Sequence, residues 1–442
     1  MDPRAVVWRY EVRGSQDDLR IEADFAAGGA DELTVDPDAT RFVHDVAYAS
    51  NEGWVAAQAH AEGWTVPCRA TGCRVRYGFS LRRAAEAIDD AQTAIVSGDV
   101  VVSPPSTWLL HPGNVPGRLH LHVSLTPPAR FTAGMRPARD QAPDTFEAST
   151  ADLDDASFAV VGPFLADVVR SGTARVDVAI SPHGLRMGEA DVVAWVQTAV
   201  DALAAYFGRF PVDRTLVVVQ QVRAGNPTRG VTLGATGPAV LIRAGDGVTA
   251  ATTRDDWVVT HELIHVAMPT LSGEHVWMSE GIASYVEPIA RVRAGTLTPE
   301  KLWGDLVEGL PQGLPDKGDE GLDKTHTWGR TYWGGSLFCL LADVTIRERT
   351  GNARSFDDFM RAVVATGEDV EAHWDMERLL DVGDRATGTT VLRDLYRTLA
   401  LAPGTVDLPG LWSRLGVKAS GGAVLFDDAA PLASVRRGIA GR

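Results

Sequence analysis

The residues best suited to chemistry are His261, Glu262 and His265, which stand together in the sequence His-Glu-Leu-Ile-His. Residues four apart lie one above the other on the same face of an α-helix. The two imidazoles could therefore bind one divalent metal ion through their ring nitrogens, with Glu262 one position further round the helix and able to act on a water. This spacing is typical of zinc hydrolases.

The residues around this motif predict a buried helix. Residues 257–259 and 263–268 are mostly apolar, and Pro269 is expected to end the helix. Buried polar side chains are costly unless they have partners. The context therefore favours a metal site over a chance match on an amphipathic helix.

A catalytic zinc ion usually has three protein ligands and keeps a fourth position for water. Glu280 is the best candidate for the third ligand because it opens a second helical run over 280–287. The alternative for Glu280 is an exposed carboxylate at a helix start, where the helix dipole favours negative charge. His275 is a rival ligand, but its place in the short loop 272–275 favours a surface position.

Residues 259–287 resemble the gluzincin metallopeptidases. Residues 277–285 read Trp-Met-Ser-Glu-Gly-Ile-Ala-Ser-Tyr, which fits the gluzincin pattern Trp-x-x-Glu-Gly-x-Ala-x-Tyr. Fourteen residues separate His265 from Glu280, where the aminopeptidase N family normally has eighteen, so the match is to the superfamily. Residues 330–343, 346–360 and 427–433 further resemble the glycyl aminopeptidase family. Members of that family often carry a PDZ module, which we do not expect here because too little chain follows the helical region.

The resemblance, which covers roughly residues 155–435, implies one zinc ion per chain, held by His261, His265 and Glu280. Zinc would lower the pKa of a water and polarise a peptide carbonyl. Glu262 is then the implied general base, which passes the proton to the leaving amine. Tyr332 is the implied donor to the developing oxyanion; the alternative is an ordinary half-buried helix tyrosine.

Candidates for substrate binding are less well defined. His326 is a candidate donor to substrate or oxyanion, with a simple loop histidine as the alternative. The aminopeptidase N family binds the substrate amine with a Gly-x-Met-Glu-Asn strand, and the corresponding region here is 230–237. Gly234, Ala235 and Gly237 would allow close approach of an extended peptide. Because this region has no glutamate, it leaves exopeptidase and endopeptidase activity open, and a glycine-rich turn is the alternative reading.

The pattern of elements predicts an α+β protein. Residues 1–130 read as a β-rich N-terminal domain, with strands at 6–12, 19–23, 73–79 and 119–123. A linker is predicted over 131–155, followed by a thermolysin-like zinc catalytic domain over 156–295. That domain begins with a strand at 175–180, a helix at 189–207 and a strand at 214–219. A mostly helical C-terminal region is predicted over 296–442.

Composition excludes some partners. The 442-residue chain has a net charge of −16, which argues against nucleic acid because phosphate binding needs clustered Lys and Arg. No apolar run of eighteen residues is present, so we predict no membrane span. His120 and His122 share a strand face but have no third partner in view, and are not predicted ligands. Oligomeric state is left open.

The three cysteines bear on the compartment. Cys68 and Cys73 could form a loop disulfide or remain free thiols, whereas Cys339 lies in an apolar helix and is expected to be inert. The chain shows no signal peptide. Since the relatives are often exported, we expect a periplasmic or cell-surface protein whose signal is absent from this chain, with a cytoplasmic protein as the alternative.

The leading hypothesis is a zinc-dependent metallopeptidase, an aminopeptidase by resemblance, that acts on peptides or proteins. A second hypothesis is an endopeptidase or narrow processing peptidase, which would cleave N-acetylated peptides that an aminopeptidase rejects. A third hypothesis is a peptide-binding protein that has the gluzincin fold but does not catalyse hydrolysis. The third hypothesis is disfavoured because the set of site residues is complete, and a site without catalytic activity would not need a general base. The set consists of His261, Glu262, His265, Glu280 and Tyr332.

Overall fold

A computed structural model describes residues 6–28, 31–112, 117–138, 141–142, 144–221, 227–420 and 423–441. The chain forms two compact units. The first consists of Met1–Val169, Arg175–Val193 and Arg214–Ala250, and the second of Arg170–Ala174, Ala194–Asp213 and Ala251–Arg442.

The described strands and helices have the following bounds. The strands are β1 (Val6–Gly14), β2 (Leu19–Phe25), β3 (Glu32–Leu33), β4 (Val43–Ser50), β5 (Gly53–Ala56), β6 (Gln58–His60), β7 (Gly63–Thr65), β8 (Cys73–Phe79), β9 (Ile95–Ser97), β10 (Val100–Ser103), β11 (Gly117–Leu125), β12 (Arg130–Ala133), β13 (Arg136–Pro137), β14 (Thr145–Ser149), β15 (Ala159–Gly162), β16 (Leu165–Ser171), β17 (Ala174–Ile180), β18 (Arg214–Gln221), β19 (Arg229–Leu233), β20 (Ala239–Ala244), β21 (Val417–Ser420) and β22 (Ala423–Phe426). The α-helices are α1 (Leu81–Ile88), α2 (Glu189–Phe207), α3 (Val258–His265), α4 (Val276–Arg293), α5 (Pro299–Gly309), α6 (Gly335–Thr350), α7 (Phe356–Ala365), α8 (Met376–Thr387), α9 (Val391–Leu395), α10 (Leu408–Leu415) and α11 (Ala433–Ile439). Two π-helical segments cover Arg330–Gly334 and Tyr396–Ala400.

The first unit is built from β-sheets. Its largest sheet has eight strands in the order β13-β14-β11-β1-β2-β8-β4-β5. Strand β2 shows why the sheet forms, since its side chains alternate between buried and exposed along its whole length. The buried side chains of β1 and β2 belong to a core that also includes Val101, Ala133 and Val161, from a second sheet with the order β12-β15-β10-β9. The β-rich N-terminal region is therefore confirmed.

The other face of that second sheet contributes to a further core. Val100, Val102 and Val160 lie in one cluster with Leu216, Val218 and Leu241 from the sheet β16-β17-β18-β20-β19. Strands β17, β18 and β20 are parallel, and β19 runs antiparallel to β20. Helix α2 connects β17 to β18 along the chain, as a parallel pair requires. The predicted order of strand, helix and strand before the metal motif is thus present.

The second unit is mostly helical, and from residue 251 onward the described chain contains one β-hairpin, β21-β22. The α+β class with a helical C-terminal part is confirmed. Strands β12, β13 and β14 lie wholly or partly within 131–155, for which the sequence predicts a linker; residues 139, 140 and 143 of that interval lie outside the described residues. The boundaries at 130, 155 and 295 remain predictions. Among the described helices, none has both the length and the hydropathy needed to cross a membrane.

Candidate metal centre

Helix α3 carries the two histidines of the motif. Its apolar side chains Val259, Leu263 and Ile264 are buried, and their packing fixes the orientation of the helix. Asp256 accepts a hydrogen bond from the backbone N–H of Val258 at 3.0 Å, which satisfies one of the free N–H groups at the helix start. With that orientation, His261 and His265 project from the same face.

Glu280 lies beside both imidazoles. Its Oε2 is 3.1 Å from Nε2 of His261 and 3.6 Å from Nε2 of His265, and the two Nε2 atoms are 3.3 Å apart. Four ligands placed tetrahedrally at about 2.0–2.1 Å from zinc are separated from one another by roughly 3.3–3.4 Å. The three donor atoms therefore form a triangle of the size that zinc requires. In the described part of the chain, no other group of three His, Cys, Asp or Glu residues brings its ligand atoms close enough together to hold one metal ion.

The position of Glu280 differs from the sequence expectation in one respect. Helix α4 begins at Val276 and not at Glu280, so the carboxylate lies in the second turn of the helix and is only partly exposed. The expectation failed because the helix was predicted to open at Glu280, whereas the buried residues Trp277 and Met278 already belong to it. The alternative assignment of Glu280, as an exposed carboxylate at the start of a helix, is thereby excluded.

The electrostatics of the three ligands are mutually dependent. Burial alone would raise the pKa of Glu280, but hydrogen bonds from His261 and His265 and their positive charge outweigh burial and hold that pKa well below its usual range. For His265, burial favours the neutral form, but the hydrogen bond and charge of Glu280 outweigh it and raise the pKa. The carboxylate of Glu280 is thus ionised and favours the protonated form of His265.

Glu262 and Tyr332 lie at the same cluster. Glu262 is buried, and its negative charge contributes to the raised pKa of both His265 and Tyr332. The Tyr332 ring is stacked beside that of His261, with centroids 6.3 Å apart and planes inclined by 26°. Burial, together with the charges of Glu280 and Glu262, raises the pKa of Tyr332 to about 12. Its hydroxyl is therefore protonated and able to donate at any pH near neutrality.

The backbone that holds Tyr332 is unusual. Tyr332 lies in the π-helical segment Arg330–Gly334, directly before α6; π-helical turns are frequent at functional sites. Arg330 anchors this segment through an ion pair of 2.8 Å with Asp319 and a hydrogen bond to the carbonyl of Gly313. Both side chains of the pair are almost fully buried. The anchored turn therefore fixes where the tyrosine projects.

Two glycines allow this segment to reach Glu280. A β-carbon on Gly281 would lie 2.3 Å from the carbonyl carbon of Gly335, and one on Gly335 would lie 2.1 Å from the carbonyl oxygen of Trp277. Only glycine fits such a backbone contact. No role was predicted for these glycines, although the Glu-Gly pair at 280–281 and the Gly-Gly pair at 334–335 stand out in the sequence.

His275, expected at the surface, is buried. Its Nδ1 lies 2.8 Å from the hydroxyl of Ser272, and its Nε2 lies 3.3 Å from the hydroxyl of Tyr396 and 3.7 Å from a carboxylate oxygen of Asp323. Asp323 also accepts hydrogen bonds from the hydroxyl of Tyr396 and, at 2.8 Å, from Nε1 of Trp277. The expectation was wrong because these partners are distant in sequence. His275 is thus part of a buried polar network at the start of α4, apart from the three metal ligands.

The remaining candidates lie in two other segments of the chain. His326 is exposed, in the segment before the π-helix. Gly234, Ala235 and Gly237 form the turn between β19 and β20 in the first unit, closed by a hydrogen bond of 2.8 Å from the N–H of Gly237 to the carbonyl of Gly234. Their roles in substrate binding remain predictions.

Two histidines of the large sheet and the three cysteines also have defined positions. His122 lies 2.7 Å from Glu11, and His120 lies 3.9 Å from Glu147, so each has a carboxylate neighbour on the large sheet. Cys68 and Cys73 form a disulfide, which decides between the two alternatives left open by the sequence. Cys339 is a buried free thiol in α6.

Comparison with known proteins gives the fold. No protein-family model and no curated protein matches the sequence. Among solved structures, an aminopeptidase N family protein from Idiomarina loihiensis superposes with a TM-score of 0.72 at 13% identity, over 93% of this chain and 78% of that one.

Two structures of an M1 zinc metallopeptidase from Deinococcus radiodurans also match. A mutant of that enzyme has a TM-score of 0.54 at 16% identity, over 90% of this chain and 96% of that one. The same mutant bound to a Tyr-Ser-Ala substrate has a TM-score of 0.54 at 15% identity, over 91% and 96% of the two chains. The chain therefore shares the fold of these aminopeptidase N family and M1 metallopeptidase structures.

Proposed function

We propose that this protein is a zinc-dependent metallopeptidase and, more specifically, an aminopeptidase. One observation supports the proposal above all: the donor atoms of His261, His265 and Glu280 form a triangle of the size of a tetrahedral zinc site, with Glu262 and Tyr332 at the same cluster. Two imidazoles and one carboxylate are a common ligand set of catalytic zinc.

Each residue has a role that its position supports. Bound zinc would supply Lewis acidity, which makes a water nucleophilic near neutral pH and polarises a carbonyl. Glu262 takes a proton from the attacking water as the new C–O bond forms. The same carboxyl group then gives that proton to the amine nitrogen as the C–N bond breaks. The hydroxyl of Tyr332 donates a hydrogen bond to the oxyanion that develops on the former carbonyl oxygen.

The aminopeptidase assignment rests on the resemblance of residues 259–287 and 330–360 to the gluzincins. The mutant M1 zinc metallopeptidase bound to a Tyr-Ser-Ala substrate is a protein of this fold that binds a peptide, which supports the assignment. A second candidate function, endopeptidase activity, is favoured by the absence of a glutamate from residues 230–237, where the aminopeptidase N family has one.

The experiment that tests the proposal combines metal analysis with turnover. We expect about one zinc ion per chain, and cleavage of unblocked aminoacyl substrates that a chelator abolishes and zinc restores. N-acetylated substrates should resist cleavage. If they are cleaved at internal bonds instead, the protein is an endopeptidase. A protein that does not bind zinc even after reconstitution would overturn the proposal.

Glu262→Gln tests the mechanism. The amide keeps the shape of the side chain but cannot accept the proton, so turnover should fall by about 10²-fold or more while zinc content is unchanged. Glu300→Gln is the matched control because Glu300 is exposed on α5 and should leave turnover unaltered. Equal activity of the two variants would exclude Glu262 as the general base.

We also propose that the protein works in an oxidising compartment, at the cell surface or in a periplasm. The Cys68–Cys73 disulfide supports this, since disulfides persist mainly in such compartments. Acid quenching of intact cells, followed by alkylation of the denatured protein, decides the question: one alkylated cysteine per chain is expected, whereas three would indicate a cytoplasmic protein.

A further inference from the structure

A cavity of about 700 Å³ opens beside His261 and Tyr332 in the second unit. Ligand pockets of small molecules and side chains fall within this size range. Its wall is largely apolar and aromatic, and includes Trp257, Trp328, Trp333, Pro288, Leu297 and Leu306. A substrate held at the metal ligands would have this cavity next to it.

Two of the aromatic side chains are much more exposed than their size would lead one to expect. Trp257 is 50% exposed and Trp328 is 62% exposed, whereas tryptophan is highly buried on average. The Trp257 ring lies 5.2 Å from the His261 ring, at 82° to it, and the Trp328 ring lies 5.6 Å from the Tyr332 ring. Each exposed ring therefore adjoins a residue of the metal cluster and lines the same cavity.

The spacing along the chain explains this placement. Trp257, the N-cap of α3, precedes His261 by four residues, and Trp328 precedes Tyr332 by four, so each ring lies about one turn before the site residue. Aromatic rings exposed on a concave wall offer a large apolar contact to a bound group.

The charged groups of the cavity are mostly paired. Glu287 and Arg291 are both buried and form an ion pair of 2.8 Å, and Lys301 pairs with Asp305. The other two charged side chains that line the cavity are Asp255 and Glu308, both exposed carboxylates. A charged substrate side chain would lose hydration among apolar walls. An acidic one would also meet negative charge.

We propose that Trp257 and Trp328 form a specificity pocket that selects a large uncharged side chain, above all an aromatic one, on the substrate residue next to the scissile bond. The pocket disfavours Asp and Glu. This inference rests on the proposed function, because the scissile bond is defined by the metal cluster.

The test uses zinc-loaded protein and two sets of dipeptide amides, one with the first residue varied and one with the second, each through Phe, Leu, Ala, Lys and Asp. We expect kcat/KM for Phe to exceed that for Ala by roughly tenfold or more in one of the two sets, with Asp lowest. Trp257→Ala and Trp328→Ala should each reduce the Phe-to-Ala ratio of kcat/KM several-fold. Trp257→Phe and Trp328→Phe should keep most of the ratio.

Leu401→Ala is the matched control, since Leu401 is 55% exposed but does not line the cavity. Its Phe-to-Ala ratio should equal that of the wild type. Zinc content of every variant is measured, so that a lost metal is not mistaken for a lost pocket. If neither set prefers Phe, or if both alanine variants keep the wild-type ratio, the inference is overturned.

If the protein shows no turnover, the proposed function is wrong, but the specificity pocket can still be tested by binding. Calorimetric binding of the same amides then replaces kcat/KM. Tighter binding of the Phe peptide, lost in Trp257→Ala and Trp328→Ala, supports the pocket, and equal affinities for the Phe and Ala peptides overturn it.

Discussion

Gly281 and Gly335 touch backbone to backbone where the helix that carries Glu280 meets the segment that carries Tyr332. A β-carbon at Gly281 would lie 2.3 Å from the carbonyl carbon of Gly335 and 2.4 Å from its Cα. Helices that meet without side chains between them approach as closely as their backbones permit. This contact therefore sets the separation between a metal ligand and the proposed oxyanion donor.

Gly281→Ala should force the two segments apart. Overpacking of this kind costs about 1–3 kcal/mol in the free energy of unfolding, which thermal or urea denaturation will measure. Turnover should fall further than stability alone explains, because Tyr332 moves relative to Glu280. Gly273→Ala is the control, since a β-carbon there meets nothing within 4 Å. A Gly281→Ala variant as stable and active as the control would contradict the role of this contact.

Tyr332→Phe removes only the hydroxyl. We expect zinc content and stability to be unchanged and kcat to fall by about 10²–10³-fold, the usual effect of losing one oxyanion donor. Since the pKa of Tyr332 is raised to about 12, the hydroxyl is protonated throughout pH 6–9 and the fold-loss should be constant over that range. If the variant retains the wild-type kcat, Tyr332 does not act as the oxyanion donor and contributes only to packing.

The metal ligands could be predicted from sequence because their geometry is local. His261 and His265 share a helix face by their spacing, and Glu280 follows in a recognisable pattern. The burial of His275 could not be predicted, since it depends on Asp323 and Tyr396, which only the tertiary fold brings near. Trp257 could be predicted only in part. Its spacing of four residues from His261 places it beside the site, but its exposure depends on the folded cavity.

Glu287 should make stability depend on pH. Burial outweighs the favourable charge of Arg291 and raises the pKa of Glu287 from its ordinary 4.5 to about 7. The folded protein therefore binds this proton more tightly than the unfolded chain. Protonation of Glu287 adds to the free energy of unfolding; this contribution is complete below pH 4.5 and is lost as the pH rises to 7. The full shift corresponds to roughly 3 kcal/mol.

Glu287→Gln isolates this effect because the amide does not titrate. Relative to the variant, the wild type should gain stability on going from pH 8 to pH 5, measured by urea denaturation with chelator in both samples so that metal release does not contribute. A difference between the two proteins that stays constant with pH would show that the Glu287 pKa is not raised.

Asp323 should contribute to stability through its buried partners. Its carboxylate accepts hydrogen bonds from Trp277 and Tyr396, and its loss leaves the buried Nε1–H of Trp277 unsatisfied. Asp323→Ala should lower the free energy of unfolding by about 1–3 kcal/mol, the cost of one unsatisfied buried group. The comparison is Glu300→Ala on the exposed face of α5, for which no more than a few tenths of a kcal/mol are expected. Equal stability of the two variants would mean that water replaces the carboxylate.

Removal of the metal should lower thermal stability by an amount that grows with the logarithm of the metal affinity. A ligand that binds only the folded state stabilises it by about 2.7 kcal/mol at a hundredfold excess over its Kd. Zinc added to the chelated wild type should therefore raise the Tm by several degrees. Glu280→Ala removes one of three ligands and should abolish most of this rise at the same zinc concentration. Glu320→Ala, an exposed carboxylate in the same unit, should respond as the wild type does. A zinc-dependent Tm rise that survives in Glu280→Ala would place the third ligand elsewhere.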